Sequence, residues 1–315
     1  MSQLDLDSMR GFLSQSISSL NKNKIRGMLA EIDLRATLEG LGFSERISPG
    51  GWILRSVGPG VFGHHTVVVF PETIAPGVPL PIGRVIGQPP VSLHTISSTM
   101  HQIGVHSFHC VPSIGQQNDV SSITWQATQL GIPAPPPYTP VLDAIQNFSA
   151  RERNYNFLRY HTDSSVLPAL SVPEEFTKEN LRVVLQTAFM TEISDIDGVI
   201  WGEQYTYPIE IKEKTAATDK KLGDYFGLDV GPFVKLAFYA AKKGNLHSLF
   251  FVREINNTDD RELVDWWFIT FDTLAQYASW NAQGGGTNMQ GGGSTVVKIP
   301  KAEFTKLTPA SLATL

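Results

Sequence analysis

The chain has 315 residues, 42% of them hydrophobic and 17% charged. That is enough for one large domain or two of ordinary size, and it excludes global disorder. A formal net charge of −5 excludes a uniformly basic nucleic-acid binder, though not a local basic groove, and a single cysteine, Cys110, excludes an internal disulfide framework and an all-cysteine zinc site.

No apolar run reaches the roughly 18 residues that a membrane span needs, so no membrane partner is expected. Met1 to Leu20 is polar and lacks the basic and apolar segments of a secretory signal. With so little cysteine, the expected setting is a reducing cytoplasm.

In chain order, Ile25 to Leu41 places Met28, Leu29, Ile32, Leu34, Leu38 and Leu41 near helical spacing, with Gly40 and Gly42 as the stop. Fourteen of the twenty prolines then fall between Pro49 and Pro140, a density that interrupts helices and predicts short strands joined by turns. Val67 to Phe70 is the clearest buried strand of this stretch. Gly131 to Pro140 is stiff and extended and is expected to be a connector. The composition therefore predicts two parts, 1–140 and 141–315.

Beyond the connector, Arg151, Arg153 and Arg159 cluster with Tyr155, Phe157 and Tyr160. A helix is expected from about Glu174 to Met190, then short strands at Gly198–Trp201 and Tyr207–Lys212, and a helix from about Pro232 to Lys243. His247–Arg253 and Val264–Phe271 read as further strands, the latter with Trp266-Trp267-Phe268 as core. A glycine-rich loop, Gly284 to Gly293, precedes a strand at Thr295–Ile299. Helix, hairpin, helix, strand, strand predicts a central mixed sheet flanked by helices.

The chemistry concentrates in Asp197-Gly-Val-Ile-Trp201 and Tyr207-Pro-Ile-Glu210-Ile-Lys212-Glu-Lys214. Glu210 and Lys212 are two apart on a strand, so they share one face while Ile209 and Ile211 share the other. Charges on an apolar strand are costly without partners. A hairpin-sized gap brings Asp197 across from them, so two carboxylates and a lysine converge. Such an oxygen set suits Mg²⁺ with a lysine to hold or activate water, the equipment for phosphodiester hydrolysis. Asp219-Lys220-Lys221 repeats part of the pattern without the apolar alternation and reads as a solvated turn.

Asp197, the gap and Glu210-Ile-Lys212 resemble the PD-(D/E)xK nuclease superfamily. With Gly223-Asp-Tyr-Phe-Gly227 and the late glycine-rich loop, the chain looks more narrowly like the Type II restriction endonucleases. Ile196 stands where the signature has proline. The resemblance covers about Glu174 to Leu315. It implies an α/β restriction-endonuclease-like core behind an N-terminal α+β region rich in Pro/Gly turns. It also implies Asp197 and Glu210 as Mg²⁺ ligands, Lys212 as the catalytic lysine, and Glu192, placed near the end of the preceding helix, as an extra catalytic acid. Asp195 is the alternative to Asp197, one strand period earlier.

Lys214, Lys220 and Lys221 are candidates for phosphate contacts and Gln116, Gln117 and Asn118 for base contacts. Six of the eight histidines lie between His64 and His109, and His106 and His109 fall on opposite faces of a strand, so hydrogen-bonding roles are expected rather than zinc. The function expected is a Mg²⁺-dependent, sequence-specific endonuclease of double-stranded DNA from a restriction-modification system, acting as a homodimer. Two alternatives stand beside it. One is a repair or recombination nuclease reading DNA shape; the other is a non-enzymatic binding protein in which Asp197, Glu210 and Lys212 form a structural salt bridge.

Overall fold

A computed structural model describes residues 2–16, 22–48, 50–56, 66–131, 135–151, 164–241, 244–280, 282–284 and 295–315. The expected Arg/aromatic cluster at 153–160 and most of the glycine-rich loop lie outside these residues. The described chain is mixed α/β. It opens with helices α1 (Leu6–Ser16) and α2 (Lys22–Gly40), followed by strands β1 (Ile47–Ser48), β2 (Gly51–Ser56) and β3 (Thr66–Pro71). Helix α3 (Val91–Gln102) leads to strands β4 (His106–Ile114), β5 (Ile123–Gln129) and β6 (Thr139–Pro140), then helices α4 (Val141–Ala144) and α5 (Val172–Ala188). Next come strands β7 (Thr191–Ile196), β8 (Gly198–Trp201), β9 (Thr206–Lys214), β10 (Ala217–Asp219) and β11 (Gly223–Asp229), and helix α6 (Val230–Ala240). The chain ends with β12 (Leu249–Ile255), β13 (Leu263–Thr270), α7 (Phe271–Tyr277), β14 (Gln283–Gly284), β15 (Thr295–Pro300), β16 (Thr305–Lys306) and α8 (Pro309–Leu312).

Two compact units result, Met1–Leu29 with Pro49–Ile196, and Ala30–Ser48 with Asp197–Leu315. The units therefore do not divide at residue 140, where the composition changes. The physical reason is that β6, at the end of the expected connector, pairs with β5, and α5 belongs to the same core as β2 and β3.

The first unit carries a six-stranded sheet in the order β6-β5-β4-β3-β2-β7. Its β3–β4 pair is parallel, with α3 in the connection, and its other pairs are antiparallel. The Pro-rich stretch thus holds a helix after all: Pro89 and Pro90 precede α3 rather than interrupt it, and proline is tolerated at a helix start. Helix α5 is buried along much of its length and tied to the sheet by polar contacts. The Trp52 indole donates to the Lys178 carbonyl at 2.8 Å, and the Trp125 indole donates to Asn180 Oδ1 at 2.8 Å. Phe12 of α1 meets Phe176 of α5 edge to face, centroids 5.2 Å apart.

The second unit has a six-stranded sheet, β1-β8-β9-β12-β13-β16, and a four-stranded one, β10-β11-β15-β14. β8 and β9 form an antiparallel hairpin, while β9 and β12 run parallel with α6 in the connection. Ala30, Leu34 and Leu38 of α2 pack with Ile209, Ile211, Leu249, Phe251, Trp266 and Phe268. Phe250, Val252 and Ile269, which point the other way, pack with Leu236 of α6 and with Phe226, Leu228, Val297 and Ile299 of the smaller sheet. Leu249–Val252 of β12 is accordingly apolar on both faces, which suits a strand with a core on either side. Among the described residues no helix is long and apolar enough to cross a membrane.

Candidate metal centre

The hairpin fixes the site. Gly198 pairs with Ile209, Val199 with Pro208, Ile200 with Tyr207 and Trp201 with Thr206. One step further along this register sets Asp197 opposite Glu210. Gly198 lets the strands come close here, since a Cβ would sit tightly at 3.2 Å from the Ser48 carbonyl oxygen and 3.3 Å from Ile209 Cδ1. The buried Asp197 carboxylate folds over β9, and its Oδ2 accepts a hydrogen bond from the Ile211 N–H at 2.6 Å. One carboxylate oxygen is thereby held by the backbone.

Along β9, Tyr207, Ile209 and Ile211 join the α2 side of the sheet. The alternation turns Glu210, Lys212 and Lys214 to the other face, which α6 covers. Glu210 is only 1% exposed. Burying a carboxylate this completely requires counter-charge, and two lysines supply it. Lys212 Nζ lies 2.6 Å from Oε1, and Lys235 Nζ, reaching down from α6, lies 2.5 Å from Oε2. Oε2 nevertheless makes no directed hydrogen bond, so the Lys235 contact is a close charge pair with poor alignment. Lys214 belongs to the same electrostatic neighbourhood. Burial pushes its pKa down, Asp229 and Glu210 pull it up, and Lys212 pushes it down.

Asp195 lies two residues before Asp197 on the same run of chain. Carboxylate oxygens of Asp195, Asp197 and Glu210 fall within 4.8 Å of one another, which makes these three residues a candidate cation site. The set is all oxygen, without histidine or cysteine, so it suits a hard divalent ion such as Mg²⁺. The buried Glu210 Oε2 without a directed hydrogen bond fits the same assignment.

The structure thus brings Asp197, Glu210 and Lys212 together and adds Asp195 and Lys235. It does not bring Glu192. That residue sits in strand β7 rather than at a helix end, is exposed, and pairs with Arg55 across the strands at 2.6 Å. Lys214 is half-buried, whereas Lys220 and Lys221 are exposed on the β10–β11 turn beside Asp219, whose carboxylate bonds Lys298. Gln116, Gln117 and Asn118 follow β4, and two of them already have partners: Gln117 Oε1 accepts from the Gln3 N–H and Asn118 Oδ1 from the Asp5 N–H. Their side chains pin the residues before α1.

The histidines of β4 make hydrogen bonds. His109 Nδ1 meets the Tyr138 hydroxyl at 2.8 Å, and His106 Nδ1 meets the Gln129 amide at 3.1 Å. Burial, then Arg84 and His94, holds the His109 pKa down at about 4. A cavity of about 240 Å³ opens beside Tyr207, Phe268, Thr270 and Thr305, on the strand face opposite Glu210, so it is not where the carboxylates converge.

Lys235 had a signal in the sequence that the helical pattern obscured. It is the one charged residue in Val230–Ala240, next to Leu236 in an otherwise apolar helix. Comparison with family models, curated proteins and solved structures gives no match.

Proposed function

We propose that the protein is a Mg²⁺-dependent nuclease that hydrolyses phosphodiester bonds of double-stranded DNA, with a PD-(D/E)xK-type site. In its finer form the proposal is a cytoplasmic Type II restriction endonuclease acting as a homodimer. The observation that carries it is the hairpin, which turns Asp197 onto β9 opposite Glu210, with Lys212 on the same strand face. The order β8, β9, α6, β12, with the last strand parallel to β9, supports the same reading.

Asp197 and Glu210 would hold the ion, with Asp195 close enough to join them. Bound Mg²⁺ would supply Lewis acidity at a phosphoryl oxygen and lower the pKa of a water. The chain's own residues do the rest. The Ile211 N–H keeps Asp197 aimed across the hairpin. The Glu210 carboxylate anchors Lys212, whose side chain is one-third exposed and so extends from a buried partner towards solvent. There its ammonium can donate to an attacking water and stabilise charge on the phosphate.

The test is digestion of unmethylated supercoiled plasmids with Mg²⁺ or Mn²⁺, comparing the parent with Asp197→Asn and Lys212→Met. Discrete fragments from the parent and none from either variant are expected. A smear or structure-dependent nicks would point to the repair class, and parent-like cleavage by both variants would overturn the site. One observation favours a non-enzymatic reading, since Lys212 and Lys235 together already neutralise Glu210. Under that reading Lys212→Met loses stability, and no plasmid is cut.

A further inference from the structure

The pairing of Glu210 Oε2 with Lys235 is not needed to form the hairpin, and it sets a buried ammonium where a metal ligand atom lies. We propose that Lys235 is a displaceable counter-ion of the metal centre. It holds Glu210 Oε2 until a divalent cation takes that oxygen, and the released ammonium then faces the anionic substrate. This inference rests on the metal-centre reading above and adds a residue and a coupling to it.

The geometry points this way on three counts. Lys235 Nζ is 2.5 Å from Oε2, yet Oε2 lacks a directed hydrogen bond, so the contact is electrostatic and not locked by alignment. The Lys235 side chain is only 13% exposed, so its charge acts through protein rather than through bulk water. Its helix is anchored without it, by the buried Leu236 and Tyr239 and by the Leu236 carbonyl, which accepts from the Ser248 hydroxyl at 2.9 Å. The ammonium can therefore move while the helix stays.

Charge arithmetic gives the consequence. Asp195, Asp197, Glu210 and Asp229 bring four negative charges, and Lys212, Lys214 and Lys235 answer with three positive ones. A divalent cation added to this site turns a deficit of one positive charge into an excess of one. The single negative charge of an arriving phosphodiester offsets that excess. Metal and nucleic acid should accordingly favour one another, with Lys235 as a positioning residue in the exchange.

Mn²⁺ is the probe, titrated calorimetrically into the intact DNA-free protein, with circular dichroism as the check on folding. Lys235→Gln keeps an N–H donor for Oε2 but removes the charge, and Lys235→Met removes both. Either should bind Mn²⁺ at least about tenfold more tightly than the parent, because the competing charge is gone. Lys235→Arg, which keeps the charge, should not gain. Parent-like or weaker Mn²⁺ affinity in folded Lys235→Gln and Lys235→Met would overturn the role of Lys235. If Asp197→Asn loses Mn²⁺ in that same series, the metal centre itself survives. A parent that takes up no Mn²⁺ in an Asp197-dependent way removes the metal centre and the counter-ion together.

Discussion

Asp197 has two separable jobs in this structure, and a pair of substitutions divides them. Its Oδ2 accepts the Ile211 N–H at 2.6 Å, and the carboxylate also stands within 4.8 Å of oxygens on Asp195 and Glu210. Asparagine keeps an acceptor for the amide and removes the charge, whereas alanine removes both. Two like charges 4.8 Å apart repel by about 3.5 kcal/mol at an effective dielectric constant near 20, and the neighbouring lysines offset part of that. In EDTA, Asp197→Asn should therefore be at least as stable as the parent. Asp197→Ala leaves the Ile211 amide without its acceptor and should fall below Asp197→Asn by about 1–3 kcal/mol. Added Mg²⁺ at a hundredfold its dissociation constant should stabilise the parent by about 2.7 kcal/mol and neither variant by as much. Urea denaturation followed by tryptophan fluorescence, with and without Mg²⁺, measures all three quantities. Equal stability of the two variants in EDTA, or equal Mg²⁺ stabilisation of parent and Asp197→Ala, would refute the assignment.

Acid should act on the first unit through His109. Its folded pKa, held at about 4 by burial and then by Arg84 and His94, is below the ordinary 6.5, so the unfolded chain binds the proton more readily. The stabilisation is whole above pH 6.5 and is lost as pH falls towards 4. It amounts to roughly 3 kcal/mol at most, and it should vanish from the difference between parent and His109→Gln in pH-dependent urea melts. At the β10–β11 turn, Lys220→Ala with Lys221→Ala should flatten the plot of log affinity for duplex DNA against log salt by about 1.8 if both lysines neutralise phosphates. An unchanged slope in a filter-binding series would make that turn a solvated surface only.

The hairpin could be read in advance because its signal is local. Isoleucines at 209 and 211 alternate with Glu210 and Lys212, and the gap back to Asp197 suits a tight connection. Glu192 lies in a strand rather than at a helix end because that strand is set from far away. β7 pairs with β2, so Glu192 meets Arg55, and nothing near residue 192 carries that partnership. The same holds for Asn118, whose partner Asp5 lies 113 residues away. The fall in proline density near residue 140 does not coincide with the edge of a core, because β6 pairs with β5 and residues on both sides pack together. Lys235 escaped notice because a lysine in an apolar helix reads as its exposed position, and only the buried Glu210 opposite shows otherwise.

The second unit is interrupted in sequence, and this bears on how the chain comes off the ribosome. β1, at residues 47–48, takes its partner from β8, at residues 199–200, so the intervening unit is made before that pair can form. At about 5–20 residues per second, those roughly 150 residues take on the order of 10–30 s to synthesise. Throughout that interval Ala30, Leu34 and Leu38 wait for Ile209, Phe251 and Phe268, which do not yet exist. The nascent helix therefore spends many seconds with an apolar stripe to be shielded. The later unit matures only when its last strands emerge, well after the first has all its residues in hand.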